Sequence, residues 1–471
     1  MRFSLKRLMT AQDMTEGSIW RKLTAFSVPL LIGNIVQQMY SAADTIVVGR
    51  FVGDSALAAV GASFPILNLL LILFMGAATG AGVMVSQYFG AKDRDQLSKT
   101  VGTTITLMFI ISVMIMIIGP LITRPLLRLL NTPEDVLDPC ADYLNILFIG
   151  IAGIAYYNGI SGILRSMGDS VMPLLFLCIT CALNVAMDIW FVAGFGWGVA
   201  GAAWATVIAQ WISSVLCFVR LARMKDVLDV NWSLIRINKH LTGQITKLGL
   251  PAAFTQMIFS LSQIIVQSLV NSFGTIVIAC STIVMRVDGF AMMPNFTFNM
   301  VMATFVGQNV GAGKMERVDM GTRSGLKMGL SVSTMLVAAI LIFGKSLMGV
   351  FTNTEELINM SYRMMCILSF GYMSMAVTQI LSGTMRGAGD TMTPMWISLI
   401  TAVIIRMPLA YLLAWLTRSE DYPVGRSEII FISLLAAWIL GAFITLFFYR
   451  KGKWREKGIV KHASETVAFD A

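Results

Sequence analysis

The stretch SGILRSMGDSVMP at residues 161–173 returns, altered but in register, as SGTMRGAGDTMTP at 382–394. VSQYFGAK at 85–92 has its counterpart in VGQNVGAGK at 306–314, and Pro29 has its counterpart in Pro251. A single offset of about 221 residues relates these pairs, so the chain is two copies of one structural unit. Each copy must therefore fold in the same way.

Composition says what kind of unit this is. Of 471 residues, 56% are hydrophobic and only 13% charged, far outside the range of soluble domains. An integral membrane protein is expected. Runs long enough to cross a bilayer, roughly 20 apolar residues each, fall near 24–46, 55–80, 100–121, 140–162, 172–194, 200–222, 246–271, 278–305, 328–350, 362–384, 393–416 and 429–449. The expected fold is all-α, with twelve transmembrane helices in two pseudo-symmetric six-helix lobes. The lobes occupy 1–230 and 246–471, with a polar cytoplasmic linker at 231–245. The basic start (Arg2, Lys6, Arg7) leads into a span too long for a signal-peptide core and without a small-residue cleavage site. That span is expected to stay as an anchor.

Orientation follows from the Lys and Arg count on each side, which is 26 on the side of the termini and 7 on the other. Both termini are thus expected in the cytoplasm. The net charge of +9 reflects this bias and contact with anionic lipid, not nucleic-acid binding.

Most enzyme chemistry is excluded by what is missing. The two histidines, His240 and His462, lie in cytoplasmic segments apart from any acidic or cysteine cluster. GKS at 344–346 lacks the earlier glycine of a phosphate-cradling loop. Cys178 and Cys181 sit within one span and no second pair completes a metal site, so they read as small buried apolar residues. The six cysteines are scattered and give no disulfide framework.

What remains is polarity where polarity is costly, since an ionised side chain at mid-bilayer costs on the order of 3 kcal/mol on insertion scales. In the first span Asn34, Gln37 or Gln38, Ser41 and Asp44 recur at three to four residues, giving a polar face that leads to a carboxylate. In the fifth, Asn184 and Asp188 are four apart, hence adjacent on one face. Asp44 and Asp188 have no acidic counterpart in the second copy, where Val266 and Leu409 stand. The second copy instead carries Gln256, Ser260, Gln263, Gln267 and Asn271 at helical spacing in the seventh span. It also carries Asp288, on one face with Asn295 and Asn299. The amide stripe reads as cavity lining or inter-lobe packing, and Asp288 as an attractor for a substrate cation or the partner of Arg406. Tyr40 is the aromatic residue nearest the first-span stripe, and Pro29 is a candidate hinge.

These residues carry a resemblance. PLLIGNIVQQMYSAADTIVVGRFVG at 29–53, LRSMGDSVMP at 164–173, LNVAMDIWFVAGFGWGVAGAAWATVIAQ at 183–210 and FVGQNVGAGK at 305–314 resemble the multidrug and toxic compound extrusion (MATE) family, bacterial type, over nearly the whole chain. The family lies in the multidrug/oligosaccharidyl-lipid/polysaccharide flippase superfamily. The resemblance implies a secondary antiporter of the bacterial inner membrane that exports cationic or amphipathic compounds in exchange for H+ or Na+ by alternating access. It also implies a cation-coupling site at Asp44, Asn184, Asp188 and Thr206. A second branch of the family uses a seventh-span glutamate and a tenth-span aspartate; Phe259 and Met375 stand nearest those positions here.

Both ions suit that site. A buried carboxylate favours its neutral form, so the pair can take up a proton and release it when the pocket hydrates. Two carboxylates, an amide oxygen and a hydroxyl are equally the hard donors that Na+ wants. H+ is the preferred expectation because the second-lobe acids are absent; no organic cofactor and no other metal is expected. Twelve spans around an internal pathway need no second copy, so a monomer is expected. Two rival readings are a flippase of lipid-linked precursors, which would want several cavity-facing cations, and a membrane protein whose polar residues are purely structural.

Overall fold

The computed structural model describes residues 11–129, 132–229, 236–420 and 422–460. Arg2, Lys6, Arg7, His462 and most of the first half of the linker lie outside the described residues. The chain divides into two compact units, Met1–Met14 with Val28–Ala253, and Thr15–Ser27 with Phe254–Ala471. No strand occurs among the described residues of either.

The first unit holds α1 (Ile19–Phe51) from Val28 onward, α2 (Asp54–Gly90), α3 (Arg94–Leu129), α4 (Glu134–Ile149), α5 (Ile151–Ser166), α6 (Val171–Asp188) and α7 (Gly198–Ala222). α8 (Lys239–Ser272) belongs to it up to Ala253 and to the second unit beyond. The second unit continues with α9 (Thr275–Gly311), α10 (Met315–Gly349), α11 (Glu355–Ser369), α12 (Gly371–Gly387), α13 (Met392–Leu399), α14 (Arg406–Leu416) and α15 (Ile429–Arg450). Among the described residues ten helices are long and apolar enough to cross a membrane, and two bent pairs, each counted as one span, bring the total to twelve. The expected fourth and tenth spans are those pairs: α4–α5 bends by 53° and α11–α12 by 43°.

The bends have a shared cause in the sequence. Gly150 lies in the first break and Gly371 directly after the second, at the repeat offset, and a Cβ on either would run into a neighbour, Val207 Cγ2 at 2.3 Å and Trp438 Cε3 at 2.4 Å. The glycines let a tilted half-helix close against the next span. The repeated motifs prove to be helix punctuation. Gly168 (φ +89°) and Gly389 (φ +102°) turn the chain. Asp169 Oδ1 then accepts the Met172 N–H (3.1 Å), and Asp390 Oδ1 the Thr393 N–H (3.1 Å), opening the next helix in each copy. Likewise Lys92 (φ +58°) and Gly313 (φ +70°) end α2 and α9 in left-handed turns. Burial moves the Asp169 carboxyl above its ordinary range, against the opposing pull of the Met172 N–H and Arg220.

Candidate functional site

In the first lobe, α6 ends in Asp188 and passes into a π-helical turn, Ile189–Gly194. The sequence FGWG follows, with Gly196 (φ +69°) and Gly198 (φ +59°) in left-handed conformations, and the chain re-enters as α7. Gly201, Ala202 and Ala203 are small and buried at the start of α7, so α6 and α7 lie close together. Thr206 is thereby brought level with Asn184.

The polar groups now meet. With its amide oriented to suit its neighbours, Asn184 donates to Asp188 Oδ2 (3.0 Å) and accepts from the Thr206 backbone N–H (3.3 Å). Tyr40 donates its hydroxyl to Thr206 Oγ1 (3.4 Å), one turn before Asp44 on α1. The carboxyls of Asp44 and Asp188 are close enough to act directly on each other. Asn184 and Asp188 are 0% exposed and Asp44 8%. Such closeness favours a proton on one of the two, because two carboxylates only repel. Oδ1 of Asp44 and Oδ1 of Asp188 meet no donor among the described residues, leaving two buried acceptors that a proton, a water or a hard cation can satisfy.

All four residues of the expected coupling site are thus in one place. The sequence reading passed over Tyr143 on α4, which is buried and within electrostatic reach of Asp44, Tyr40 and Asp188. Asn34 and Gln37 lie half-buried earlier on α1, and Gln38 is exposed. α1 runs unbroken through Pro29, where the ring removes one backbone donor.

The second lobe brings together a different set. Asp288 on α9 accepts the Tyr372 hydroxyl on Oδ1 (2.8 Å), and Arg406 Nη2 donates to Gln263 Oε1 (3.3 Å). Asp288, Arg406, Gln263 and Gln267 line one small cavity. Gln256 and Ser260 are exposed and are not among its walls; Gln267 also donates to Asn271 Oδ1 (2.9 Å). Asn295 and Asn299, expected on the Asp288 face, bond to Tyr372 O (3.5 Å) and to Gln379 O (2.8 Å), so they fasten α9 to α12. The expected alternative for Asp288, an ion pair with Arg406, is not formed; Tyr372 takes that role.

The MatE family profile matches residues 29–190 and 251–412, one segment in each repeat. The chain belongs to the MatE family. Among curated relatives, the probable multidrug resistance protein YoeA of Bacillus subtilis is 29% identical over 96% of this chain and 98% of its own. The probable multidrug resistance protein NorM of Thermotoga maritima is 24% identical over 98% of each chain. Among solved structures, a MATE crystal structure in the bent conformation covers 93% of this chain and 96% of its own, with a TM-score of 0.86 at 21% identity. The fold is thus that of MATE transporters, and the chain is a multi-pass membrane transporter of the multidrug-efflux family, not an enzyme.

Proposed function

We propose that the chain exports cationic and amphipathic organic compounds in exchange for H+, with Asp44, Asn184, Asp188 and Thr206 as the coupling site. The observation that carries this reading is the close approach of two buried carboxyls whose Oδ1 atoms lack donors. A site of that kind cannot stay empty of positive charge when it is closed to water. It binds a proton in the dry state and releases it when water enters. The same donors accommodate Na+, so the driving ion is decided by experiment. Ion and cargo must favour opposite conformations, because a ligand with equal affinity for both shifts nothing.

Pro29 is the proposed hinge. It stands two residues from the point where α1 passes from one compact unit to the other, between Ser27 and Val28. A helix weakened there can bend with little cost. The proposed setting is the bacterial inner membrane with both termini cytoplasmic, and a monomer suffices. The flippase reading wants several cations facing one cavity, and the second-lobe cavity offers Arg406 alone among its described walls.

The test is ethidium efflux from proteoliposomes with imposed pH and Na+ gradients applied separately, comparing wild type with Asp44→Asn. Efflux driven by the pH gradient and reduced to background in the variant is the expected result. Efflux untouched by the substitution removes Asp44 from coupling, and drive by the Na+ gradient alone replaces the proton with sodium.

A further inference from the structure

The two repeats place different chemistry at one wall position. Counted from the matched prolines, Asn184 stands eleven residues after Pro173 and Arg406 twelve after Pro394. A π-helical turn, Ile400–Ile405, takes up the extra residue just before Arg406. In the first lobe the π turn comes later, after Asp188. Arg406 therefore arrives at the register of Asn184, and a guanidinium stands where the first lobe has an amide.

That guanidinium is unusually placed. Arg406 is 7% exposed, Nη2 is held by Gln263, and Nε meets no acceptor among the described residues. Asp288 lines the same cavity, held by Tyr372, yet forms no direct ion pair with Arg406. Two opposite charges thus line one cavity of about 40 Å3 without pairing. Such a volume holds roughly two or three waters, so the charged end of a cargo fits it while the body stays outside. Its other walls include Val266, Val270, Leu368 and Phe431. A buried guanidinium N–H without an acceptor in such surroundings carries a desolvation cost that an anionic group removes.

A simple cation entering here meets Arg406, and a simple anion meets Asp288. A group bearing both charges satisfies both walls. We propose that this cavity is a carboxylate-recognising subsite for zwitterionic amphiphilic cargo, with the cargo carboxylate on Arg406 and its cationic centre facing Asp288. The proposal rests on the multidrug-export reading and narrows the cargo class. Gln263 and Tyr372 act as positioning residues.

The experiment uses purified full-length protein and two dyes on one scaffold, a rhodamine with a free carboxylate and its methyl ester, read by fluorescence anisotropy. Wild type binds the acid more tightly than the ester. Arg406→Gln weakens the acid about ten-fold, equivalent to about 1.4 kcal/mol, and leaves the ester within about two-fold; Arg406→Lys, which keeps the charge, retains part of the preference. A wild-type preference for the ester, binding of neither dye, or an equal loss of both dyes in Arg406→Gln overturns the proposal. Because the acid-to-ester ratio of wild type needs no variant, the test survives a substitution that fails to fold. Chloride acting in place of a cargo carboxylate shows as ester binding that strengthens with chloride over gluconate, and that too overturns it. Ethidium efflux from the same preparations separates the two levels. Efflux without acid preference sinks the subsite alone, and absence of efflux for ethidium and both dyes sinks the export reading along with it.

Discussion

The first lobe brings two carboxyls together with no basic partner among the described residues, whereas the second puts one carboxylate and one guanidinium in the walls of one cavity without pairing them. Both rest on the same scaffold: the same bent span at Gly150 and Gly371, the same aspartate opening the next helix, the same left-handed turn after α2 and α9. The difference lies in charge balance. Two like charges in one dry site demand a proton or a cation. Two opposite charges lining one cavity are neutral together and demand no ion. A duplicated scaffold has thus diverged so that, on the proposed reading, one copy exchanges charge with the solution while the other presents fixed charge to cargo.

The sharpest way to break this comparison is to make the same change in each lobe. Asp188→Asn leaves Asp44 as the single carboxyl of the site, and gradient-driven ethidium efflux from proteoliposomes falls to background. Asp288→Asn leaves the coupling pair intact, so efflux keeps its gradient dependence while the choice among cargoes changes. Equal loss of drive in both variants would erase the division of labour.

Stability offers the next contrast. Asp169 Oδ2 receives Arg220 Nε at 2.9 Å and Nη2 at 2.8 Å, in addition to its helix-opening bond. Asp390 receives the N–H and the hydroxyl of Thr393, and forms no ion pair among the described residues. Asp169→Ala removes two bonds to Arg220 as well as the helix-opening bond, at a cost of about 3 kcal/mol, and Asp390→Ala costs about 1 kcal/mol, the worth of a helix cap. Denaturation midpoints of the two variants in one detergent give the order; a reversal means that Arg220 is repaid by water or lipid.

Packing runs the other way, with the second lobe less tolerant. Gly383 and Gly387 press α12 onto α9, and a Cβ on them would stand 2.4 Å from the carbonyl oxygens of Asn299 and Ala303. Gly162, the first-lobe counterpart of Gly383, has nothing nearer than Arg165 Nη2 at 3.9 Å. Gly383→Ala is expected to cost about 1–3 kcal/mol and Gly162→Ala no more than about 0.5 kcal/mol. Thermal unfolding followed by intrinsic fluorescence distinguishes them.

How much of this was legible follows from how far each signal reaches along the chain. Hydropathy and the repeat are properties of short stretches, so the spans, the two copies and the Asn184–Asp188 step could be read directly. The coupling residues Asp44 and Thr206 join that step only through the resemblance, because nothing local says that α1 and α7 meet there. Tyr143 and Tyr372 were missed for the same reason: each acts across spans, on Asp44 and Asp188 or on Asp288. The bends at Gly150 and Gly371 lay within runs that were apolar enough to pass for single spans. Arg406 was visible as a buried cation, but its register depends on a π turn that hydropathy does not encode.

The two tyrosines close the comparison with its smallest expected effects. Tyr372 donates its hydroxyl to Asp288 Oδ1 at 2.8 Å, a well-formed hydrogen bond to a carboxyl. Tyr40 reaches a neutral hydroxyl, Thr206 Oγ1, at 3.4 Å. Phenylalanine keeps both rings, including the packing of the Tyr372 ring on Trp438 with centroids 5.8 Å apart. Only the hydroxyl bond is therefore measured. Tyr372→Phe should cost about 2 kcal/mol, since it leaves a carboxylate in apolar surroundings short of a donor, and Tyr40→Phe less than about 1 kcal/mol. Thermal midpoints taken at one detergent and pH put the two side by side. If Tyr40→Phe proves the costlier, the Thr206 hydroxyl is serving the carboxyl pair through Tyr40, and the first lobe's charge is held by a longer chain of bonds than the distances alone suggest.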